Sequence, residues 1–449
     1  MGEGSLEAPT RHAIEWRQAD FYDPEKLDAE IRRAFDICHG CRRCFNLCDS
    51  FPRLFDLVDG SESGELDSVA SADFKPIVDA CTLCDMCFMV KCPYVPPHEF
   101  NLDFPHLMLR YRAVQHKNGE IPKIQQRLSE TDKNGTKGCA ISGLANWASS
   151  CSNGLTRPVM QAALGIDKNA ALPRFNKKPL GNPDQVIPIN KEAPAYGRKA
   201  VIYATCTGQY HNADLAMATA QVLAQNGVET QFVYPGCCGM PQLEHGDIAR
   251  VAESARTVAA ELAHWIEAGY DVVSPVASCS LMLKFEWPLI EPADENIKKL
   301  SQATFDASEY LVDIAAKEGI ADGLKPLAGG ITLHIACHAR AQNMGRKGAE
   351  MLQLIPETEV KVIERCSGHG GSWGVYKDNF EVALKVGKPV ARDTAKQASR
   401  FVVSECPLAR EHILQGVEVL DPAQPAAQRD QGGAQVQHPI QLVALSYSG

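Results

Sequence analysis

No run of about 18 apolar residues occurs in the 449-residue chain, so no membrane-spanning helix is predicted. The segment from Met1 to Glu7 has no apolar signal region, which favours a cytoplasmic protein. The chain also has no Walker motif, no flavin fingerprint and no Ser/His/Asp triad signature. The stretch 368–374 is not a phosphate loop, because Trp373 replaces the third glycine of G-x-G-x-x-G, and we expect a flexible turn there. These absences predict that the chain does not oxidise an organic substrate alone.

Acidic residues outnumber basic ones, with 55 Asp and Glu against 45 Lys and Arg. The resulting net charge of -10 argues against nucleic-acid binding. Residues 110–199 are the exception, with fifteen basic and six acidic residues. Within this stretch the spacing predicts one helical face made of Leu144, Trp147, Cys151 and Leu155. Another helix is expected from Pro158. One interpretation is a segment that touches an anionic membrane surface or an acidic partner, which would place the protein peripherally on the inner membrane. The favoured one is a solvated surface over an ordinary buried stripe.

Cysteine, by contrast, is abundant, with 17 residues. In a protein without a secretion signal, many cysteines favour metal binding over disulfides. Two runs have C-x-x-C-x-x-C spacing and a fourth cysteine shortly after, which is typical of [4Fe–4S] ligands; in two-cluster ferredoxins this fourth cysteine serves the other cluster. The predicted ligand sets are Cys38, Cys41, Cys44 with Cys92 (set 1) and Cys81, Cys84, Cys87 with Cys48 (set 2).

Zinc is the alternative for these two runs, since it also binds paired C-x-x-C ligands. Zinc does not explain a third cysteine at the same spacing in both runs, so clusters are favoured. Two departures from the ferredoxin pattern are visible. Four residues rather than three separate Cys87 from Cys92, and Asp49 rather than proline follows Cys48. Both departures concern how the fourth ligand is presented.

Helices are predicted around both cysteine runs. Residues 24–37 indicate an amphipathic helix, with Asp23 as N-cap and a proline at the first position. Its apolar stripe consists of Leu27, Ile31, Ala34 and Phe35. The 75–90 region is predicted to be helical too, so we expect a helical rather than a sheet-based ferredoxin domain. Arg42 and Arg43, which lie between ligands, are expected to raise the potential of the nearby cluster.

Strand and helix patterns alternate from residue 199 onward, which predicts parallel α/β units. The expected strands are 200–204, 228–234 and 271–274, with helices at 211–226 and 247–268. The pattern then repeats, because Cys206, Cys237 and Cys279 correspond to Cys337, Cys366 and Cys406 at offsets of 131, 129 and 127 residues. Nearly constant offsets indicate an internal duplication.

The predicted fold class is α+β with several domains. The expected parts are a helical two-cluster ferredoxin domain at 20–109, a basic linker or insertion at 110–198, two duplicated α/β repeats with parallel sheets at 199–326 and 327–420, and a flexible tail with a terminal helix at 421–449. The stretch 421–436 is rich in Gln, Ala, Pro and Gly, which favours disorder, and 438–446 is predicted to form the docked helix.

The cysteines of the repeats follow strands, and the carboxyl ends of parallel strands form the ligand crevice of an open sheet. The first-repeat cysteines are therefore expected to meet as a metal site, namely Cys206, Cys237, Cys238 and Cys279 (set 3). The second repeat offers three, namely Cys337, Cys366 and Cys406 (set 4), with Ser367 where the first has Cys238. The alternative is that these cysteines are small buried apolar residues, and it weighs more for set 4.

The duplicated Cys…Cys-Cys-Gly…Cys pattern resembles the cysteine-rich CCG domain of heterodisulfide reductase. The same domain occurs in one subunit of anaerobic glycerol-3-phosphate dehydrogenase and in lactate-utilisation and glycolate oxidase iron–sulfur proteins. With two ferredoxin runs ahead of it, the order resembles that glycerol-3-phosphate dehydrogenase subunit best. The resemblance implies an electron-transfer subunit that relays electrons from a flavoprotein dehydrogenase through two [4Fe–4S] clusters and the CCG domain to a quinone or other redox acceptor.

The resemblance also implies an alternative, a catalytic heterodisulfide or persulfide reductase that acts at a CCG-domain cluster. The full site of that family ends in C-x-x-C, whereas Met282 follows Cys279 at that position here, which counts against disulfide reduction. The expectation is one further iron–sulfur cluster, or zinc, in the CCG repeats. A scaffold with zinc or empty sites is a third hypothesis.

Four residues near these motifs have weaker assignments. His338 and His369 flank set 4 and could donate hydrogen bonds to sulfur or move protons, but a structural role is favoured. Cys139 and Cys151 lie outside every pattern and are expected to be spare thiols.

Overall fold

Helices alone build the first part of the chain in the computed structural model, which describes residues 8–181, 187–421 and 436–448. The helices are α1 (Pro24–Cys41), α2 (Ser50–Asp59), α3 (Lys75–Ala80) and α4 (Phe104–Lys117). Single 3-10 turns occupy Ala19–Tyr22, Leu66–Ser68 and Ser71–Phe74, and a π turn occupies Cys87–Lys91. The core between the helices is aromatic, and the ring centroids of Phe51 and Phe104 lie 4.7 Å apart.

The predicted capping and stripe of α1 are confirmed. The Asp23 carboxylate accepts hydrogen bonds from the backbone N–H groups of Glu25 and Lys26, at 2.9 and 3.1 Å, which satisfies two of the unpaired donors at the helix start. All four predicted stripe residues are buried. The helix continues past the predicted end to Cys41 and stops at Arg42, whose φ of 55° is left-handed.

The helical prediction for 75–90 was wrong in its middle. α3 ends at Ala80, and Cys81 is extended. Leu83 and Asp85 have φ values of 48° and 63°, which no α-helix contains. The chain therefore curls tightly between the cysteines of the second run rather than carrying them on one helix.

The basic region consists of four more short helices, and α4 crosses the predicted domain boundary at 109/110. They are α5 (Lys123–Leu128), α6 (Thr131–Ala140), α7 (Ser142–Ser149) and α8 (Thr156–Leu164). The predicted single helical face from Leu144 to Leu155 was wrong, because the chain breaks between α7 and α8. The Asn153 side chain causes the break by accepting hydrogen bonds from the N–H groups of Leu155 and Thr156, both at 3.1 Å, which starts a new helix.

A four-stranded parallel sheet, in the order β2-β1-β3-β4, forms the first repeat. Its strands are β1 (Lys199–Tyr203), β2 (Glu229–Val233), β3 (Asp271–Ser274) and β4 (Thr304–Asp306). Its helices are α9 (Thr205–Tyr210), α10 (Ala213–Gln225), α11 (Met240–Leu243), α12 (Ile248–Glu267), α13 (Ala277–Leu281), α14 (Trp287–Ile290), α15 (Glu295–Ala303) and α16 (Ala307–Lys317). In register, Tyr203 pairs with Val233, and Ile202 with Val273. The three predicted strands are present, and β4 was not predicted.

A three-stranded parallel sheet, in the order β6-β5-β7, forms the second repeat. Its strands are β5 (Ile331–His334), β6 (Val360–Ile363) and β7 (Phe401–Ser404), and its helices are α17 (Cys337–Ala341), α18 (Lys347–Leu352), α19 (Phe380–Gln397) and α20 (Pro407–Leu420). His334 pairs with both Ile363 and Ser404, so all three strands end at one edge. The central strand has the same place as β1 in the first sheet, as expected for duplicated units.

The last helix, α21 (Pro439–Ser448), ties the two repeats together by packing on α10, α16 and α18. Its buried residues include Ile440, Leu442 and Val443. The predicted disordered stretch falls largely on 422–435, outside the described residues. At the carboxyl edges of the sheets, the Ala277 N–H donates to the Glu405 carbonyl at 3.5 Å. None of the helices in the described ranges is long and apolar enough to cross a membrane.

Candidate functional site

Set 1 assembles where α1 ends. Cys38 and Cys41 lie in the last turn of α1, the left-handed Arg42 turns the chain toward Cys44, and Cys92 follows the π turn. The four thiols line one partly open cavity. Its other walls include Ile37, Phe51, Pro93, Tyr94 and Leu102. The structure thus brings together the four residues that the sequence assigned to this set.

The surroundings of set 1 oppose ionisation of free thiols. Burial and the charges of Cys92 and Cys41 raise the pKa of the Cys44 thiol to about 12. Four thiolates this close would need a cation to balance them. Arg42 does not supply that charge, because its guanidinium pairs with Asp59, 2.9 Å from Nη1 to Oδ2. Arg43 lines the cavity instead.

Set 2 forms around the curled second run. The left-handed residues Leu83 and Asp85 alternate with the cysteines and wind the backbone around them. Cys48 reaches the set from just before α2, and burial together with the charges of Cys84 and Cys81 raises the pKa of its thiol. The crossed arrangement of fourth cysteines, Cys92 with the first run and Cys48 with the second, is therefore present in the geometry.

Set 3 lies at the carboxyl edge of the first sheet. The Cys238 and Cys279 sulfurs are 3.3 Å apart, and both residues are buried. Cys206 and Cys237 contact each other, and this contact is the largest cause that raises the pKa of Cys206. Gly239 follows the pair at a φ of 86°, a left-handed conformation that favours glycine and starts α11. The four thiols thus meet, as the strand-end argument predicts.

Set 4 lies at the carboxyl edge of the second sheet and is more open. Cys366 is exposed, while Cys337 and Cys406 are half-buried. The Gly368 N–H donates to the Cys366 sulfur at 3.4 Å. The expected flexible turn 368–374 lies against this cysteine but is closely packed, since a Cβ on Gly371 would lie 1.8 Å from Glu244 Oε1.

The four sets are neighbours rather than isolated sites. Burial raises the pKa of the Cys87 thiol in set 2, and the charge of Cys44 in set 1 adds to it. Burial and the charge of Cys84 likewise raise the pKa of Cys337 in set 4. Burial raises the pKa of Cys406, and Cys279 of set 3 adds to it. Fifteen of the 17 cysteines therefore form one series in the order 1, 2, 4, 3.

The cysteine thiols of the four sets are candidate ligands for either zinc or iron–sulfur clusters, and the arrangement of the thiols can distinguish the two. Thiolates alone suit either group. Among the described residues, no group of three or more His, Cys, Asp or Glu side chains is arranged to hold a single metal ion. A four-iron cluster binds each thiolate at a different iron, so its ligands stand around a cavity, as those of set 1 do. Set 1 therefore fits a cluster better than a single ion, and set 2 offers the same four-thiol donor set.

Comparison with known proteins agrees with the duplicated sheets. The family model of the CCG cysteine-rich domain matches residues 200–284 and 331–409. The chain carries two CCG domains. The first range contains β2, β3 and all but the first residue of β1, and the second contains β5, β6 and β7, so the predicted duplication is confirmed.

Relatives of this chain include subunits of dehydrogenases and reductases. One subunit of anaerobic glycerol-3-phosphate dehydrogenase from Escherichia coli is 24% identical over 282 residues, which are 62% of this chain and 69% of that protein. One subunit of dihydromethanophenazine:CoB–CoM heterodisulfide reductase from Methanosarcina acetivorans is 25% identical over 386 residues, 76% and 90% of the two chains. One subunit of fumarate reductase (CoM/CoB) from Methanothermobacter marburgensis is 28% identical over 260 residues, 56% and 47%. The resemblance stated from the sequence is confirmed.

The sequence did not reveal that the basic segment supplies groups to the first CCG domain. Asp132 on α6 accepts a hydrogen bond from the Cys237 N–H at 3.2 Å and from the Tyr234 hydroxyl at 2.5 Å. Trp287 donates from Nε1 to the Cys238 carbonyl at 3.0 Å. The one available signal was an acid in a basic stretch, which is too weak to place Asp132 at set 3.

Both histidines beside set 4 have structural partners. His338 Nε2 lies 3.4 Å from the Leu83 carbonyl, which joins the second CCG domain to set 2. His369 is buried beside the His412 ring, and burial and the His412 charge lower its pKa to about 3. The neutral His369 ring is therefore part of the packing beneath the glycine turn. The spare thiol Cys139 also has a structural partner, because its Sγ donates to the Tyr210 carbonyl at 3.5 Å.

Proposed function

We propose that the chain is an iron–sulfur subunit that transfers electrons from a flavoprotein dehydrogenase, of the glycerol-3-phosphate dehydrogenase type, to a quinone-type acceptor. The observation that carries the proposal is the unbroken series of cysteine sets from the helical region through both CCG domains. [4Fe–4S] clusters bound at sets 1 and 2 would supply one-electron transfer. The relatives named as dehydrogenase and reductase subunits support a role inside a larger complex.

The helical region fits a ferredoxin-type domain. Its part in the function is to hold two clusters close together and away from water. α1 and the π turn present the ligands of set 1, and the left-handed residues of the second run present those of set 2. Arg112 fixes this region to the first CCG domain, donating at 2.7 Å to the Val78 carbonyl and at 3.0 Å to the Glu244 carbonyl. Such a rigid junction would keep the distance between set 2 and the CCG domains constant.

Set 1 lies at one end of the series of cysteine sets, and this end has a surface on which a protein partner could dock. Phe45, next to a ligand, and Val90, inside the π turn, are exposed although both are apolar. Exposed apolar side chains beside a redox site mark a docking surface. We assign this surface to the flavoprotein subunit, so that electrons enter at set 1 and leave through the CCG domains.

The CCG domains would differ in what they hold. Set 3 offers four thiols and fits one further iron–sulfur cluster, or zinc, whereas set 4 offers three. Ser367 occupies the position of a fourth thiol in set 4 and is buried. Its hydroxyl accepts a hydrogen bond from the His369 N–H at 3.4 Å, so it acts within the glycine turn.

A second candidate function is catalysis of disulfide reduction at the CCG domain, and the relatives named heterodisulfide reductase and fumarate reductase (CoM/CoB) favour it. Met282 opposes it, because this residue occupies the place of the last thiol and is fully buried. Turnover of a disulfide by the isolated chain with a low-potential donor would support this candidate over electron transfer.

The decisive experiment measures electron transfer by the assembled complex. Cys84→Ser should abolish reduction of quinone, while the dehydrogenase stays active with an artificial dye. Cys139→Ser, which removes a buried thiol outside every set, is the matched control and should keep both activities. Unchanged quinone reduction by Cys84→Ser would overturn the proposal.

Metal analysis of the anaerobically purified protein tests the cofactor assignment. Two [4Fe–4S] sites alone give about eight iron atoms and as many labile sulfides per chain. About twelve, with one cluster signal lost in Cys238→Ser, would place a further cluster at set 3. If the same measurement found zinc instead of the additional iron atoms, the metal of the CCG domains would have a structural role.

A further inference from the structure

The helix pair α7 and α8 exposes an unusual amount of apolar surface. Five of the twelve large apolar side chains that the described residues expose lie between 141 and 159. Leu144 and Trp147 lie on α7, and Ile141 comes directly before it. Val159 lies on α8, and Leu155 comes directly before it. Leu144, Trp147 and Leu155 are 61%, 55% and 80% exposed. The sequence-based expectation of a buried stripe was therefore wrong for these residues.

The inward faces of the same helices are polar. Arg157 on α8 is 2% exposed, and its guanidinium donates to four backbone carbonyls, at 2.9 Å to Lys168, 2.7 Å to Asp167, 2.6 Å to Ala170 and 3.3 Å to Ser149. Asn146 on α7 points inward too and exchanges two hydrogen bonds with the Phe175 backbone, at 2.9 and 2.7 Å.

Polar residues inside and apolar residues outside reverse the usual arrangement of a surface helix. The reversal is maintained by specific hydrogen bonds, so it is not a loosely packed end. It indicates that the outward apolar face meets something other than water.

The charges around this face are mostly positive, and Asp167 is an acidic residue beside it. No Asp or Glu occurs from Lys133 to Ile166. Exposed basic residues surround the pair, namely Lys137, Lys168, Arg174, Lys177 and Lys178. The Lys168 carbonyl accepts a hydrogen bond from Arg157 on α8, and the Phe175 carbonyl accepts one from Asn146 on α7. These bonds place Lys168, and Arg174 next to Phe175, beside the helix pair. The chain as a whole has a net charge of -10, so an anionic surface would attract it chiefly at this side.

We propose that α7 and α8 dock this protein onto the surface of an anionic phospholipid bilayer. Leu144, Trp147 and Leu155 would enter the interface between headgroups and acyl chains, where an amphipathic tryptophan is favoured. The basic residues at the rim would contact lipid phosphates. A quinone acceptor dissolves in the bilayer, so docking would bring the protein to its acceptor, although the surface itself does not depend on the electron-transfer proposal.

Vesicle binding of the full-length, cluster-loaded protein tests the docking surface. Sedimentation with phosphatidylcholine vesicles that contain phosphatidylglycerol should capture the protein at low salt, and vesicles of phosphatidylcholine alone should capture less. The double variant Leu144→Ser/Leu155→Ser should bind at least about tenfold more weakly, because it removes two apolar side chains that the bilayer would bury. Lys177→Gln/Lys178→Gln should reduce binding to the anionic vesicles and leave binding to the neutral ones unchanged.

Val419→Ser is the matched control, since Val419 is 66% exposed on α20, outside the helix pair, and its replacement should leave vesicle binding unchanged. Trp147 supplies a direct readout. Its fluorescence should shift to shorter wavelength on vesicle addition, and Trp147→Phe should remove most of that shift.

Two outcomes would overturn the proposal. One is equal binding of wild type and Leu144→Ser/Leu155→Ser to the anionic vesicles, or no binding of either. The other is self-association of the wild type that this variant abolishes, which would assign the surface to a second copy of the chain. Iron content is measured on the same samples, and quinone reduction on the complex assembled from them, so a failure of the electron-transfer proposal would be recognised separately.

Discussion

Arg11 forms an ion pair with Asp85, and 2.6 Å separates Nη2 from Oδ1. Asp85 lies within the second cysteine run, between two ligands of set 2. The same guanidinium contacts Asp103 at 2.9 Å and Glu286 of the first CCG domain at 2.9 Å. One arginine therefore joins the segment before α1, the helical region and a CCG domain.

Arg11→Leu should destabilise the protein by about 3–5 kcal/mol, because it removes the guanidinium that three carboxylates share, two of them buried. Urea unfolding followed by circular dichroism measures the loss. Arg250→Gln is the control, since Arg250 pairs with Glu253 in an exposed pair at 2.8 Å, and its loss should be below about 1 kcal/mol. Equal losses in the two variants would contradict a structural role for Arg11.

His106 extends this network and makes it depend on pH. Its Nε2 lies 3.1 Å from Glu286, and its Nδ1 lies 3.4 Å from Asp103. Burial and the Arg11 charge lower the pKa of His106, but the two carboxylates outweigh them and raise it above its usual value.

A raised pKa in the folded state means that protonated His106 stabilises the fold. That contribution is complete below the pKa of the unfolded chain, about 6.5, and is lost as the pH rises through the folded value. The stability advantage of wild type over His106→Gln should therefore shrink from pH 6 to pH 9. His264→Gln is the control for the substitution itself, since it replaces an exposed histidine outside this network. A constant difference between wild type and His106→Gln would refute the assignment.

Structural features that depend on residues close together in the sequence were predictable from the sequence. The cap and stripe of α1, the strands of both sheets and the cysteine spacings all depend on local patterns. β4 was missed because its three residues carry too short a pattern. The role of Asp132 at set 3 was missed because its partner is 105 residues away, and the contact from Arg11 to Glu286 spans 275. Such contacts arise from how the elements pack, which no local spacing records.

The glycine turn beside Cys366 gives a further prediction. Gly368 has a φ of 80°, and an added Cβ would lie 2.1 Å from the Ala383 carbonyl oxygen. Gly368→Ala should therefore cost about 3 kcal/mol or more, through overpacking and backbone strain. Gly119→Ala is the control, because Gly119 has a φ of 74° with no atom within 4 Å of the added Cβ, so only strain of about 1–2 kcal/mol applies. Similar midpoints of thermal unfolding would show that the turn is not closely packed.

The exchange of fourth ligands between the cysteine runs can be tested by counting iron. Cys92 lines the cavity of set 1 with Cys38, so removing either thiol should release the same cluster. Cys38→Ser and Cys92→Ser should each lower the content by about four iron atoms per chain, and the double variant should lose no more than either single one. Cys84→Ser/Cys92→Ser should lose about eight, because these residues belong to different sets. If Cys92 served the second run, the two double variants would exchange their iron contents.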